Sequence, residues 1–428
     1  MMTSSLKMAF LRKWLAAKLY NRDQIMQIKN NKVIKLLSLL ALMSALLSCS
    51  NDEPHTQRFQ AIYEDTENLN LALVWPYVKE NRGTKMTIVN GIDLAFKEIN
   101  QNGGVLGRQL KLKKFDDGRS INTGLTIAQK IAEDDSIFAV LGHLDSYISI
   151  STSKTYELTG LITINPGSTD DKLTQSGFSH VFRTVPKNSV QGQKLALHFR
   201  EQGFKKVLVY YINNSYGLAL ANSFEKEARR LEIEVIDRRA YYKSSQSHLR
   251  TMQDWSKYYE FDAIFIAGSM PEGIDIIKQA TQAGIVNQPI YAGAGLDSAD
   301  FVNQGGSDIE GTYVVSFFPQ NYDKNIKSLS IDDSKVVGFI DAYTEEYGMA
   351  PLDATAALGY DAVHLLVDAI KATGSLNRDI VSNYIKQNKE FSGATGQHQF
   401  NEQGDVEDKL MVINKVVDGK FVFDTKID

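Results

Sequence analysis

Residues 138–169 contain two strand-to-loop units in direct succession, and this arrangement restricts the fold more than any other part of the sequence. One apolar run, 138–141, stops at Gly142, and a second, 160–164, stops at an Asn-Pro-Gly turn. Short hydroxyl residues follow each run: Ser146 and Ser149 after the first, Ser168 and Thr169 after the second. In an open α/β sheet the binding loops lie at the carboxyl ends of strands, where the next helix presents its N-terminal N–H groups. The two turns therefore predict a cradle for a small anion such as a carboxylate.

The same hydroxyl residues have a simpler interpretation. Ser and Thr are favoured at helix N-caps, because their side chains accept a hydrogen bond from an N–H of the first helical turn. From the pattern alone, Ser146, Ser168 and Thr169 are therefore either ligand contacts or plain caps.

Short β-like runs alternate with helical periodicity along most of the chain. Strands are predicted at 71–74, 110–115, 138–141, 160–164, 181–185, 207–212, 263–267, 290–292 and 312–318, and near Gln399. Apolar residues at helical spacing predict helices at 88–99, 127–131, 221–231, 274–283, 336–347, 354–373 and 380–389. Such alternation is typical of parallel βαβ units, and the break at Pro186 separates two series. The fold class is therefore predicted to be α/β, with two doubly wound, Rossmann-like lobes and a terminal hairpin across Asp418 and Gly419.

The amino-terminal region has the features of a secretion signal. Three lysines precede an apolar run at 36–47, which is followed by Ser48 and Cys49. The run is shorter than the roughly 20 residues of a membrane span. Residues 1–48 are therefore interpreted as a signal peptide region, with translation starting at Met26. The Leu-Leu-Ser-Cys sequence resembles a bacterial lipobox, so Cys49 is expected to carry lipid, with 49–68 as a polar tether. A plain signal peptide or an uncleaved anchor is the alternative.

Composition and motifs exclude several classes of protein. Apolar residues make up 43% of the chain and charged residues 23%, as in ordinary globular proteins, and the net charge of −4 gives no reason to expect a nucleic-acid partner. A single cysteine excludes an intrachain disulfide and a cysteine-based metal site. His143, Asp145 and Ser146 do not form a catalytic triad, because near-adjacent residues on one turn point in different directions. The chain is therefore expected to be a non-enzyme without cofactor or metal.

Several stretches resemble one family in their order and spacing. They are Asn-Gly-Ile at 90–92, Gly-Gly-Val-Leu-Gly-Arg at 103–108, Phe-Asp-Asp at 115–117, Gly-His-Leu-Asp-Ser at 142–146, Asn-Pro-Gly-Ser-Thr at 165–169, Phe-Arg-Thr at 182–184 and Tyr-Gly at 216–217. This resembles the Leu/Ile/Val-binding proteins, the type I periplasmic binding proteins that serve ABC importers. The resemblance runs from about Leu69 to the C-terminus. It implies three crossovers, near 184–186, 317–319 and 399–402. The lobes are then 69–184 with 317–398, and 185–316 with 399–428.

The family also implies roles for particular residues. Ser146, Ser168 and Thr169 match the positions that hold the amino-acid carboxylate, and Tyr216 matches a ligand tyrosine of the second lobe. The lid tryptophan of the family falls near Thr84, so Trp75 or Tyr77 is expected to cover the ligand instead. The glutamate that holds the ligand ammonium aligns with Ala294. Asp297 and Glu272 are the two candidates to replace it, unless the ligand lacks an ammonium.

A small disulfide of the family maps to Arg119 and Asp145. Since these residues carry opposite charges, we predict an ion pair between the two loops, contributing roughly 0–1 kcal/mol.

The function expected from this resemblance is a lipid-anchored solute-binding protein in the periplasm or cell envelope. It would bind an amino acid or a related small carboxylate by hinge closure and pass it to an ABC permease. Two alternatives use the same fold: a ligand sensor for a membrane signalling partner, and a lipoprotein that contacts partners without any ligand.

Overall fold

The computed structural model describes residues 62–76, 87–243, 245, 247–323, 325, 329, 333–387 and 391–428. The predicted signal peptide, Cys49 and Tyr77 lie outside these residues. Within the predicted tether, Ile62 is buried at 3% exposure, and the first strand begins at Asn68. No helix in the described part of the chain is long and apolar enough to span a membrane.

The first sheet consists of five parallel strands in the order β2-β1-β3-β4-β5. The strands are β1 Asn68–Val74, β2 Gln109–Phe115, β3 Ile137–Gly142, β4 Ile162–Asn165 and β5 Val181–Arg183. Every residue of β3 and β4 is buried. Because helices cover both faces of a parallel sheet, its inner strands are continuous apolar runs, and this is why both were readable in the sequence.

The second sheet has seven strands in the order β15-β14-β10-β9-β8-β6-β7. They are β6 Lys206–Ile212, β7 Glu234–Tyr241, β8 Ala263–Ala267, β9 Ile290–Ala292, β10 Tyr313–Ser316, β14 Val412–Val417 and β15 Lys420–Lys426. The strands from β6 to β10 are parallel, whereas β14 and β15 add an antiparallel hairpin next to β10. A small antiparallel sheet contains β11 Phe391–Gly393, β12 Gly396–Phe400 and β13 Val406–Glu407.

The helices connect these strands or pack on their faces. They are α1 Thr87–Gln101, α2 Ile121–Glu133, α3 Ser146–Leu158, α4 Lys172–Gln175, α5 Asn188–Glu201, α6 Ser215–Arg230, α7 Leu249–Tyr258, α8 Glu272–Gln282, α9 Ala299–Gly305, α10 Ser334–Tyr347, α11 Thr355–Thr373 and α12 Arg378–Gln387, with 3₁₀ turns at Ala294–Leu296 and Gly306–Ile309.

The parallel parts of the two sheets share one topology. In the first sheet the chain order reverses between β1 and β3, and in the second it reverses between β6 and β8. The crevice at such a reversal, outside the carboxyl ends of the strands, is where doubly wound sheets bind ligands. Each half of the structure therefore provides one such edge.

A buried ion pair joins two segments that pass between the sheets. Arg183, at the end of β5, is fully buried, and its guanidinium contacts the carboxylate of Asp405. The backbone N–H of Arg183 also donates to the carbonyl of Gly404 at 2.8 Å. The two segments are thus tied to each other by side chains and by backbone.

Candidate functional site

One cleft is lined by residues that follow the strands at both reversal points. From the first sheet come Trp75 and Pro76 after β1, and Leu144, Asp145 and Ser146 after β3. From the second sheet come Asn214 and Tyr216 after β6, and Ser269 and Met270 after β8. The two carboxyl edges therefore face a common space, as the doubly wound topology requires of a ligand site.

Ser146 and Thr169 lie in this cleft and are connected to each other. Ser146 is the first residue of α3, and its Oγ accepts hydrogen bonds from the N–H groups of Thr169 and Asp170, both at 3.3 Å. Its hydroxyl proton therefore remains available to a ligand oxygen. The N-terminal end of α3 also carries the positive end of the helix dipole. Together these groups place a hydroxyl donor and the positive end of a helix at one side of the cleft, at the two turns for which the sequence predicts an anion cradle.

Asn165, at the end of β4, holds the two turns of the cradle in place. Its Nδ2 donates to the carbonyl of Gly142 and to Ser149 Oγ, both at 2.9 Å. Its Oδ1 accepts from the N–H of Ser168 at 2.6 Å. The Ser149 hydroxyl is therefore structural. In the sequence Asn165 is recognisable only as part of a turn, although an Asn that directly follows a buried strand is a signal for this role.

Ser168 is placed differently from the other two predicted cradle residues. Its side chain has no solvent exposure, and it is not among the residues that line the cleft. Its hydroxyl has no hydrogen-bond partner among the described residues. Ser168 thus contributes to the turn through its backbone, and its hydroxyl does not reach the ligand space.

Trp75 and Tyr216 lie on opposite sides of the cleft. Trp75 is 6% exposed and packs against Gly167, where an added Cβ would come within 3.1 Å of the indole ring. Tyr216, in the first turn of α6, accepts a hydrogen bond on its hydroxyl from the N–H of Gly295 at 2.9 Å. Each ring is therefore held against a neighbouring loop, Trp75 by packing on Gly167 and Tyr216 by its hydrogen bond with Gly295.

Of the two acidic candidates, only Asp297 lines the cleft. Its carboxylate accepts from Ser316 Oγ at 2.6 Å and from Gln320 Nε2 at 2.9 Å. Burial, reinforced by the negative charge of Asp353, raises the pKa of Asp297 to about 8. A cationic group placed beside it would be strongly favoured, because it would offset both effects.

Glu272 is buried at 6% exposure as the first residue of α8, but it is not among the lining residues. Burial raises its pKa, against the opposing charges of Lys243 and Arg119. It therefore lies within electrostatic range of the cleft wall, behind the surface that a ligand would touch.

Asp353 also lines the cleft and was not among the predicted site residues. Its Oδ1 accepts from Thr87 Oγ1 at 2.7 Å, and its Oδ2 accepts from the N–H of Ala299 at 2.8 Å. It thereby connects the start of α1 with the start of α9. An aspartate just before a helix is common for capping reasons alone, so nothing local in the sequence distinguishes this one.

The predicted ion pair between Arg119 and Asp145 is confirmed. The Arg119 Nη1 and Asp145 Oδ1 atoms are 3.5 Å apart, and the two side chains are 18% and 17% exposed. Both residues line the cleft. The pair is therefore part of the wall of the site as well as a link between two loops.

His143 does not serve Ser146, in agreement with the exclusion of a catalytic triad. The imidazole is fully buried, with Nδ1 2.8 Å from Asp117 Oδ2 and Nε2 3.0 Å from Tyr156 Oη. Both ring nitrogens are thus engaged behind the cleft. In the described part of the chain, no group of three or more His, Cys, Asp or Glu side chains could hold a metal ion.

Comparison with known proteins identifies the family. The model of the family described as periplasmic binding protein matches residues 82–420, well over half of the chain. The chain belongs to the periplasmic binding protein family. A Leu/Ile/Val-binding protein homolog of Brucella suis is 28% identical to it over 326 residues, which cover 74% of this chain and 82% of the relative.

Solved structures of periplasmic binding proteins agree with this assignment. An ABC transporter substrate-binding protein from Desulfitobacterium hafniense, solved in complex with Leu, is 34% identical to this chain. The match spans 83% of this chain and 100% of the neighbour, with a TM-score of 0.71. A leucine-binding protein from Thermotoga maritima is 26% identical, and the match spans 84% of this chain and 99% of the neighbour, with a TM-score of 0.74. The predicted type I fold and the resemblance to the Leu/Ile/Val-binding proteins are confirmed, and the chain is a binding protein rather than an enzyme.

Proposed function

We propose that this chain is the extracytoplasmic solute-binding protein of an ABC importer, anchored to a membrane by lipid on Cys49. Its ligand is an amino acid or a closely related small carboxylate, held between a first lobe of 69–184 with 317–398 and a second lobe of 185–316 with 399–428. The observation that carries the proposal is that one cleft contains both an anion cradle and a buried carboxylate.

The two polar ends of an amino acid fit these two groups. The α-carboxylate would accept hydrogen bonds from the Ser146 hydroxyl and from the cradle around Thr169, at the positive end of α3. The α-ammonium would donate to Asp297, whose pKa is raised by burial and by the negative charge of Asp353. Tyr216 and Trp75 would cover the ligand from either side. Two of the relatives support this choice, since one is named a Leu/Ile/Val-binding protein homolog and the other a leucine-binding protein.

Asp353 supports the closure part of the proposal. It belongs to the proposed first lobe, yet its Oδ2 accepts from the N–H of Ala299 in the second. This hydrogen bond joins the two proposed lobes at the wall of the cleft. Ligand that bridges the same two lobes would favour the same state, which is how hinge closure is driven.

Ligand binding is tested with the chain from residue 51 onward, by thermal shift and titration calorimetry against a panel of amino acids, amides and small carboxylates. A ligand present at about 100 times its dissociation constant should stabilise the protein by about 2.7 kcal/mol. Ser146→Ala and Thr169→Ala should each abolish the shift. Thr126→Ala is the matched control, because Thr126 is an exposed residue of α2 outside the cleft. A shift that survives both cradle substitutions would place the site elsewhere, and the absence of any shift would contradict the proposal.

Lipid anchoring is tested separately in cells. Wild-type protein should incorporate a labelled fatty acid and fractionate with membranes, whereas Cys49→Ser should do neither. Equal labelling of the two proteins would refute the anchor without affecting the ligand site.

A further inference from the structure

The Arg119–Asp145 pair occupies a part of the cleft wall that the proposed carboxylate and ammonium contacts leave unused. Asp145 directly precedes Ser146 of the cradle, so a ligand held by Ser146 lies next to the pair. Among the described lining residues Arg119 is the only cation, whereas four aspartates line the cleft: Asp145, Asp297, Asp300 and Asp353. The pair therefore decides which side chains can be accepted at this point.

Arg119 is held in a strained backbone conformation. Arg119 adopts a left-handed backbone conformation with φ of 57°, which is unfavourable for a residue with a Cβ. Its N–H donates to Asp117 Oδ1 at 3.0 Å, and its carbonyl accepts from Tyr147 Oη at 3.1 Å, so the conformation is enforced from two sides. An ion pair that is needed only for stability does not require such placement.

Asp145 is the N-cap residue of α3, but its side chain does not cap the helix, because it makes no hydrogen bond to an N–H of the first turn. Its Oδ1 faces Arg119, and its Oδ2 accepts no hydrogen bond of normal length and angle among the described residues, although the neighbouring Tyr147 hydroxyl interacts with the same carboxylate. Burial raises the pKa of this carboxyl group, against the attraction of Arg119. A buried acceptor without a donor is costly, so a donor on a ligand would be well matched to it.

Electrostatics then restricts the ligand group that can meet the pair. A carboxylate would approach Arg119 but would add a further negative charge to a wall that already contains four aspartates. An ammonium would approach Asp145 but would lie against the guanidinium. A neutral group that both accepts and donates satisfies both side chains without either repulsion, and a primary carboxamide has this form.

We propose that Arg119 and Asp145 form a specificity site for a carboxamide on the ligand side chain, with Arg119 donating to its carbonyl oxygen and Asp145 accepting from its NH₂ group. This inference rests on the proposed function and assigns its ligand class: an amino acid with a terminal amide, of the glutamine or asparagine type, rather than an aliphatic amino acid.

The test is calorimetric titration of the chain from residue 51 with glutamine, asparagine, glutamate, methionine, leucine and lysine. Methionine is close to glutamine in length but lacks the amide, and glutamate replaces the amide with a charge. An amide should bind tightest, by on the order of 100-fold over leucine, methionine and glutamate, because the analogues leave the buried pair unmatched. The double variant Arg119→Met with Asp145→Leu should lose this preference and bind leucine or methionine more tightly than an amide.

Two further variants keep the result interpretable. Lys97→Met with Glu346→Leu removes an exposed ion pair between α1 and α10 and should leave the ranking of ligands unchanged. If the apolar double variant does not fold, Asp145→Asn retains the size and polarity of the site and should narrow the gap between glutamine and glutamate, because one negative charge is gone.

The outcomes separate the two proposals. Tighter binding of leucine than of either amide by the wild-type chain would overturn the amide assignment and leave the proposed function intact. Tightest binding of lysine would also overturn it, since Asp145 would then act as a partner for a cation. If no amino acid binds, the proposed function fails and the amide assignment fails with it.

Discussion

Asp297→Asn is expected to raise the stability of the protein while it weakens ligand binding. In the structure the carboxylate is 9% exposed and lies near the carboxylate of Asp353, and these two conditions raise its pKa from 3.8 to about 8. Asparagine keeps the shape of the side chain. Its amide can still accept from Gln320 and donate to the oxygen of Ser316, so the local hydrogen bonds have substitutes.

The size of the effect follows from the pKa. A group whose pKa is raised on folding contributes full stability below its unfolded pKa and loses that stability as the pH rises toward its folded pKa. For Asp297 the interval is from 3.8 to about 8. Each factor of ten in the protonation equilibrium corresponds to about 1.4 kcal/mol, so ionisable Asp297 lowers the free energy of unfolding at pH 7 by at most about 4 kcal/mol. Asp297→Asn should recover part of this, and the gain should shrink toward zero near pH 4.

The assay is urea denaturation of wild-type and Asp297→Asn protein without ligand, from pH 4 to pH 8, alongside calorimetry with the best ligand from the panel. Wild-type affinity for a ligand with an ammonium should rise with pH up to about 8, and binding below that pH should release a proton to the buffer. Asp297→Asn should bind about 10–100-fold more weakly, because a charge-assisted hydrogen bond is lost. Its affinity should depend on pH much less than that of the wild type in this range, because the remaining dependence comes only from other buried carboxyl groups such as Asp353, whose pKa is also raised by burial.

Two results would refute this reasoning. If Asp297→Asn is less stable than the wild type at pH 7, the carboxylate is stabilised by its surroundings and its pKa is not raised. If the variant gains stability but binds as well as the wild type, Asp297 is buried for another reason and does not hold an ammonium.

Three further predictions concern stability and are checked by urea denaturation. Arg119→Glu should lower the free energy of unfolding by about 0.2–1 kcal/mol, and adding Asp145→Arg should restore it. No loss, or a loss without rescue, would mean that the pair contributes nothing to stability. Gly295→Ala should lower the free energy of unfolding by about 1–3 kcal/mol, because the new Cβ would lie 2.3 Å from the backbone oxygen of Gly268. As a control, Gly338→Ala should raise it by about 0.5–1 kcal/mol, because Gly338 lies in the exposed middle of α10 and a Cβ there would meet no atom within 4 Å. Asp405→Ala should cost about 3–5 kcal/mol, because it leaves a fully buried arginine without a countercharge; a near-neutral effect would show that water reaches the guanidinium.

Features of the fold that depend on local chemistry could be predicted from the sequence. The strand at 290–292 is β9, and the predicted hairpin forms with Asp418 and Gly419 at φ of 51° and 69°, the left-handed region that a two-residue turn requires. The strand Glu234–Tyr241 was not anticipated. It is the edge strand of its sheet and pairs only with β6, so most of its side chains are half exposed and several are charged, without an apolar run.

The helix Asn188–Glu201 was missed for a related reason. Its buried positions include Asn188, Gln191 and His198 as well as apolar residues, so hydrophobic periodicity is weak.

The site shows the same division between local and long-range information. The positions of Ser146 and Thr169 could be predicted from the sequence, because both residues follow apolar strands within a short stretch of chain. Asp353 was not, because its partners Thr87 and Ala299 are 266 and 54 residues away in sequence. Ser168 could not be separated from Thr169 in advance, since neighbouring residues of a turn differ in direction by angles that only the folded backbone sets.

The contact between Arg183 and Asp405 has a mechanical consequence for the proposed closure. Two of the three expected connections between the lobes are fastened to each other at this point, so neither can twist independently of the other. Two segments joined in this way resist twisting about their long axis but can still bend. The proposed lobes would then close mainly by one bending motion, and the cradle and Asp297 would meet in the same alignment each time the cleft closes.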